Sequence, residues 1–180
     1  MVIFRSGGLI VLLMAFATSA LAQVESTPFP LGRKPDFSMF MTGTYNCSTQ
    51  SSRRPAPYYT TNTSSVSQDG YWLVTQIVIH KSSWMPRMIS GGDRITYDPS
   101  TSRWIDMNYD DAGGYGASIS SGWRGNSIVW TDALTPKQNN ISSTRPTTWT
   151  KISATKMTQS SSLKEVGGRV VTVKTTCTKA

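Results

Sequence analysis

Residues 169–178 read Arg-Val-Val-Thr-Val-Lys-Thr-Thr-Cys-Thr. In an extended chain Val171, Val173, Thr175 and Cys177 share one face, while Thr172, Lys174 and Thr176 share the other. This is the pattern of a strand near the end of the chain, and it carries one of two cysteines. The other, Cys47, sits near the start in Gly43-Thr44-Tyr45-Asn46-Cys47. In an oxidising compartment an isolated pair is most simply a disulfide, with two free buried thiols as the alternative. A disulfide needs Cα atoms within about 7 Å of each other, so the first and last strands would lie side by side. An up-and-down barrel produces that neighbourhood by closure, whereas an immunoglobulin-type sandwich ties two internal strands across its core. The expected fold is therefore all-β, a single antiparallel up-and-down barrel of about ten strands with Cys47 joined to Cys177.

The rest of the chain agrees. From Thr42 onward threonine, serine, tyrosine, tryptophan and valine dominate, and long amphipathic helical patterns are missing. Turn signals recur at Asp69-Gly70, Gly91-Gly92-Asp93, Asp98-Pro99-Ser100, Gly113-Gly114, Arg124-Gly125-Asn126, 136–140 and Gly167-Gly168. Between them strands are expected at 42–50, 57–67, 71–80, 93–98, 103–110, 115–121, 126–132, 145–152, 155–165 and 169–178. In Ile105-Asp106-Met107-Asn108-Tyr109-Asp110 the odd positions are apolar, which predicts that Met107 and Tyr109 face inward. Residues 71–79 are apolar on both faces and predict a strand covered on both sides.

Before the barrel, Arg5, the apolar run 9–16 and Ala20-Leu21-Ala22 have the layout of a secretory signal, with cleavage expected after Ala22. Residues 23–40 read as an extended lead-in in which Asp36 to Met41 makes a short helical turn, and 41–180 as the barrel domain. The expected location is secreted or periplasmic, and the mature chain holds no apolar stretch of membrane-spanning length. The net charge of the full chain is +8, yet the basic residues are scattered, with Arg33-Lys34 and Arg53-Arg54 as adjacent pairs. Scattered charge favours solubility over polyanion recognition, so no specific nucleic-acid role is expected.

The segments Gly43 to Cys47, Tyr97-Asp98-Pro99 with Trp104, Gly113-Gly114-Tyr115-Gly116, Ser121-Gly122-Trp123-Arg124-Gly125, Trp130 and Cys177 together resemble a calycin-type barrel. That group includes lipocalins, fatty-acid-binding proteins and nitrobindin-like domains, and the nearest likeness is to small secreted lipocalin-like domains of bacteria. The resemblance implies a ten-stranded barrel that either holds an apolar ligand or is filled. Nitrobindin-like haem binders carry an iron-ligating histidine near the C-terminus, and here the single histidine is His80, so no cofactor is expected.

Catalytic patterns are weak. One histidine cannot make a multi-histidine metal site, no Gly-x-Ser-x-Gly elbow is present, and glutamate occurs at Glu25 and Glu165 alone. Asp106-x-Asn108-x-Asp110 begins like a calcium loop but has Asp111 where glycine is needed and Ala117 where glutamate is needed. Neither catalytic nor metal residues are therefore expected, and the chain reads as a non-enzyme. Expected ligand-binding residues are Tyr71, Leu73, Ile77, Met107 and Tyr109, with Trp130 and Trp149 behind them. The loop containing Trp84, Met85 and Met88 is the expected entrance or partner-binding patch. The functional expectation is a secreted barrel binding a small apolar or amphipathic molecule without chemistry. The alternative is a structural or protein-interaction module of the cell envelope, for which no particular protein partner is indicated.

Overall fold

A computed structural model describes residues 32–134 and 146–180, together with the backbone of 141–144. The expected signal peptide, residues 23–31 of the lead-in and the turn at 136–140 lie outside the described residues. Gly32 to Ala180 forms one compact unit. Its strands are β1 (Gly43–Ser51), β2 (Tyr58–Val66), β3 (Leu73–Ile79), β4 (Ile89–Asp98), β5 (Arg103–Asp110) and β6 (Tyr115–Ser120). They continue with β7 (Trp123–Arg124), β8 (Ser127–Leu134), β9 (Ile141–Thr144), β10 (Thr147–Ser153), β11 (Lys156–Glu165) and β12 (Val170–Lys179).

Ten of these close a ring of antiparallel pairs in the order β1-β2-β3-β4-β5-β6-β8-β10-β11-β12 and back to β1. The two short strands stand beside it, β7 paired with β8 and β9 with β11. Closure removes the exposed edges that an open sheet of this length would present. In the closing pair Cys47 lies directly opposite Cys177, and the two are joined by a disulfide with Cα atoms 4.0 Å apart.

The expected strands match the ring, with one informative difference. Gly91 and Gly92 lie inside β4 rather than in a turn, and β4 starts at Ile89. A side chain at Gly91 would collide with the Tyr109 carbonyl oxygen, and one at Gly92 would stand 2.7 Å from that of Thr75. Glycine here serves close approach of neighbouring backbones.

One end of the barrel is plugged by the lead-in. The Asp36 carboxylate accepts the Ser38 N–H at 2.9 Å, and the Phe37 carbonyl accepts the Phe40 N–H at 2.9 Å. The segment is thus a hydrogen-bonded turn, where the sequence had suggested a helical turn, because Asp36 ties up the backbone locally. The turn sends both phenylalanine rings into the barrel. Phe37 and Phe40 meet Trp104 at 5.7 and 5.0 Å between centroids, and Phe40 meets Trp123 at 5.3 Å. Leu73, Ile95, Ile128 and Trp130 complete this core. A second cluster of Met41, Tyr45, Met157 and the disulfide adjoins it, and Trp149 packs against both.

Two outcomes follow from this construction. Phe40→Ala should lower unfolding stability by about 3–5 kcal/mol, the usual cost of deleting a buried aromatic ring, read by urea denaturation under tryptophan fluorescence. Reduction of Cys47–Cys177, or replacement of both residues by alanine, should cost up to about 5 kcal/mol in the chain-entropy description. Identical urea midpoints with and without reductant would show that β1–β12 pairing holds the ring without the bond.

Candidate functional site

Closure gives the barrel an inside, and its two ends are filled differently. Toward the plug, packing is nearly complete, leaving about 40 Å³ among Phe40, Met41, Tyr45, Leu73 and Met157. Toward the turns at 52–57, 80–88 and 111–114 lies a cavity of about 370 Å³. That volume falls at the small end of the range of about 300–1,000 Å³ typical of small-molecule sites. Its floor is Trp130 and Trp149, whose rings are tilted against each other at 5.4 Å.

The walls are polar. Asp93 of β4, Asp106 and Asn108 of β5, and Asp132 of β8 face inward, with Ile77 and Ile79 as an apolar strip from β3. The register explains their proximity. Asp93 lies opposite Asn108, and Ile95 opposite Asp106, so the two carboxyls are diagonal neighbours on adjacent strands. Asp106 lies opposite Ser118, and Ser118 opposite Asp132, whose carboxylate accepts the Ser118 hydroxyl at 3.3 Å. Asp106 is only 6% exposed, and its Oδ1 has no hydrogen-bond partner. The indole N–H of Trp130, 2% exposed, is likewise unpartnered.

Burial raises the Asp93 carboxyl to about 7. Asp106 is pushed up to about 8, by burial first and by the neighbouring Asp93 charge second. Asp93 is half-buried and lines both this cavity and the small void toward the plug.

The structure distributes the expected site residues unevenly. Ile77, Trp130 and Trp149 line the cavity. Leu73 is buried in the plug core, and Tyr71 lies near the plug end with Lys34 Nζ 5.7 Å from its ring centre. Met107 and Tyr109 point outward, 39% and 59% exposed, which corrects the inward facing expected of them. The physical reason is parity. Trp104 shares a face with Asp106 and Asn108, and its packing against Phe37 and Phe40 commits that face to the interior.

Three strands repeat this arrangement, with a large apolar residue toward the plug and an aspartate two positions nearer the cavity: Ile95 and Asp93, Trp104 and Asp106, Trp130 and Asp132. That spacing was the available signal for the missed aspartates. At the cavity end, Trp84 and Met85 are half-buried while Met88 is exposed. The Trp84 ring meets the cavity-lining Tyr58 edge-on at 5.5 Å, and the Arg54 guanidinium lies 4.5 Å above it.

The chain matches no protein-family model, and no curated protein sequence matches it. Among the described residues no cluster of histidine, cysteine, aspartate or glutamate is arranged to hold a metal ion. No helix there is long and apolar enough to cross a membrane. His80 lies away from the cavity lining, with its Nε2 2.9 Å from the Thr61 hydroxyl.

The carboxyl pair sets a pH dependence with a definite sign. Asp93 and Asp106 hold protons in the folded state that the unfolded chain releases above about pH 4, so stability falls as pH rises from about 4 to about 8. Asp36, Asp69 and Asp98, at the surface, are lowered by hydrogen bonds from Ser38, Ser67 and Ser100, and act in the opposite sense at more acid pH. Melting temperatures should therefore drop between about pH 5 and about pH 8, and Asp106→Asn should raise the value at the upper pH and flatten the slope. An unchanged slope in Asp106→Asn would remove this pair as its source.

Proposed function

We propose that this protein is a secreted, non-catalytic, lipocalin-like barrel that binds a small molecule in the polar half of its interior. The observation that carries the reading is the cavity of about 370 Å³ inside the closed barrel, floored by Trp130 and Trp149 and walled largely by polar side chains. The closed ten-strand antiparallel ring is compatible with the lipocalin-like architecture suggested by the resemblance of the sequence. The intramolecular disulfide fits an oxidising, extracytoplasmic compartment and supports the secretory reading of the N-terminus.

The ligand under this reading is amphipathic rather than purely apolar. Aromatic rings form the floor and carboxyls and hydroxyls the walls, so an apolar part would sit low and a polar part toward β4, β5 and β8. A second reading, an envelope module that works through its outer surface, draws on exposed Tyr109 and Tyr115, which lie directly opposite each other on β5 and β6. Aromatic side chains in such positions are common at protein interfaces.

Native mass spectrometry of the unreduced protein separates the two. A small molecule that leaves on denaturation, and is lost in Ser118→Phe, whose ring would occupy the cavity, is the expected result. A ligand-free mass, with tryptophan emission unmoved by a library of small amphiphiles, would turn the assignment toward the surface module.

A further inference from the structure

We infer that a groove on the outside of the barrel, bounded by Arg103 and Arg124, binds an amphiphilic organic anion: a carboxylate, sulfate or phosphate group on an apolar chain. This groove is separate from the interior cavity and lies on the opposite face of the sheet. The local sequence builds it. Trp104 and Trp123 both pack against Phe40 inside the barrel, so their neighbours Arg103 and Arg124 point outward by alternation. Between β6 and β7 the chain bends at Gly122, whose φ is +103°. The groove at that bend has a volume of about 470 Å³, within the range of about 300–1,000 Å³ usual for small-molecule sites. Ile119 and Val129 supply its apolar lining, and Ser121 and Ser127 supply hydroxyls.

The charge of the groove is one-sided. Two guanidinium groups line it, and no carboxylate does. Among the described residues no carboxylate pairs with either arginine. Asp98, the cross-strand neighbour of Arg103, is committed to its own turn. Its Oδ1 accepts the Ser100 N–H at 2.9 Å and the Ser100 hydroxyl at 2.7 Å, and its Oδ2 accepts the Thr101 hydroxyl at 2.7 Å. Residues 135–145 contain no acidic side chain. The two exposed guanidiniums thus keep their forked N–H donors for an outside partner, and that fork matches the oxygens of carboxylate, sulfate and phosphate.

A second observation gives the ligand its apolar part. On the same outer face Ile105 lies opposite Ile119, Met107 opposite Ala117, and Tyr109 opposite Tyr115. Three successive outward pairs running away from the arginines are therefore apolar or aromatic, and Met107, Tyr109 and Tyr115 are exposed. The six residue steps from Arg103 to Tyr109 make a strip of about 20 Å at the usual strand rise. An anionic head at the arginines with its chain laid along this strip pairs each part of the molecule with matching chemistry. A bare inorganic anion would leave Ile119 and Val129 uncovered, and a neutral apolar molecule would leave the guanidiniums without a counter-charge.

The test titrates octyl sulfate, octanoate, octyl glucoside and octyltrimethylammonium into the oxidised protein at low salt, each below its micellar range. Binding is followed by NMR of arginine Nε–H groups and of isoleucine and valine methyls. The two anions should shift the signals of Arg103, Arg124, Ile119 and Val129. They should bind about fivefold or more tighter than the glucoside, with the cation weakest, and added salt should weaken them. Arg103→Gln and Arg124→Gln, both at exposed positions, should each lower octyl sulfate affinity about threefold, and together should bring it to that of the glucoside. Butyl sulfate should bind about fivefold or more weaker than octyl sulfate. Ser118→Phe, directed at the interior cavity, should change none of this. Absence of shifts with either anion, equal binding of anion and cation, or undiminished binding in the double variant would overturn the inference. So would shifts confined to interior residues such as Ile77 and Trp130, or inorganic sulfate binding as tightly as octyl sulfate. Binding to phosphatidylglycerol vesicles without binding of the soluble anions would also overturn it, and would assign this face to a membrane surface.

Discussion

Every other feature of this protein depends on the pairing of its first strand with its last. β1 and β12 run antiparallel over seven residue pairs, with Cys47 and Cys177 at one of them, and this seam converts a sheet into a ring. The ring has no free edge to satisfy, so its backbone hydrogen bonds are completed internally. It also has an interior of fixed capacity, and the side chains that face inward must either fill it or leave room. A sequence separation of 130 between the cysteines means that the bond constrains nearly the whole barrel in the unfolded chain.

The interior is divided by what fills it. The turn at Phe37–Phe40 inserts two rings at one end, and Ile95 and Ile128 are almost fully enclosed behind them. Trp130 and Trp149 form the boundary, touching the packed half with one side and the cavity with the other. Beyond them the inward positions become threonine, asparagine and aspartate, which do not pack to high density against one another. The consequence is a polar, acid-lined space with an aromatic floor. Enclosure of Asp93 and Asp106 there costs stability at neutral pH, because burial opposes their ionisation.

The outer surface has another logic. On β5 the apolar Met107 and Tyr109 point outward while Asp106 and Asn108 point inward, so the usual arrangement of a half-buried strand is reversed there. The loop at 80–88 is tied to the barrel end through Trp84, which rests on Tyr58 beneath Arg54. That contact couples a surface loop to a wall of the cavity.

The sequence by itself determined the class, the number of ring strands, most of their limits and the pairing of the cysteines. Those features are local: period-two alternation, turn residues and the reach of a disulfide are all written in short stretches such as 43–47 and 169–178. It also pointed to Ile77, Trp130 and Trp149, which do line the cavity. What the tertiary structure decided was which face of each strand turns inward. Alternation in residues 105–110 defines two faces but not their direction, and the apolar one, with Met107 and Tyr109, turned out to be the exposed one. Direction is a collective property of closure. Trp104 is drawn to the plug formed by a segment more than sixty residues earlier, and Asp106 and Asn108 follow it because a strand cannot turn one residue in without turning every second residue in.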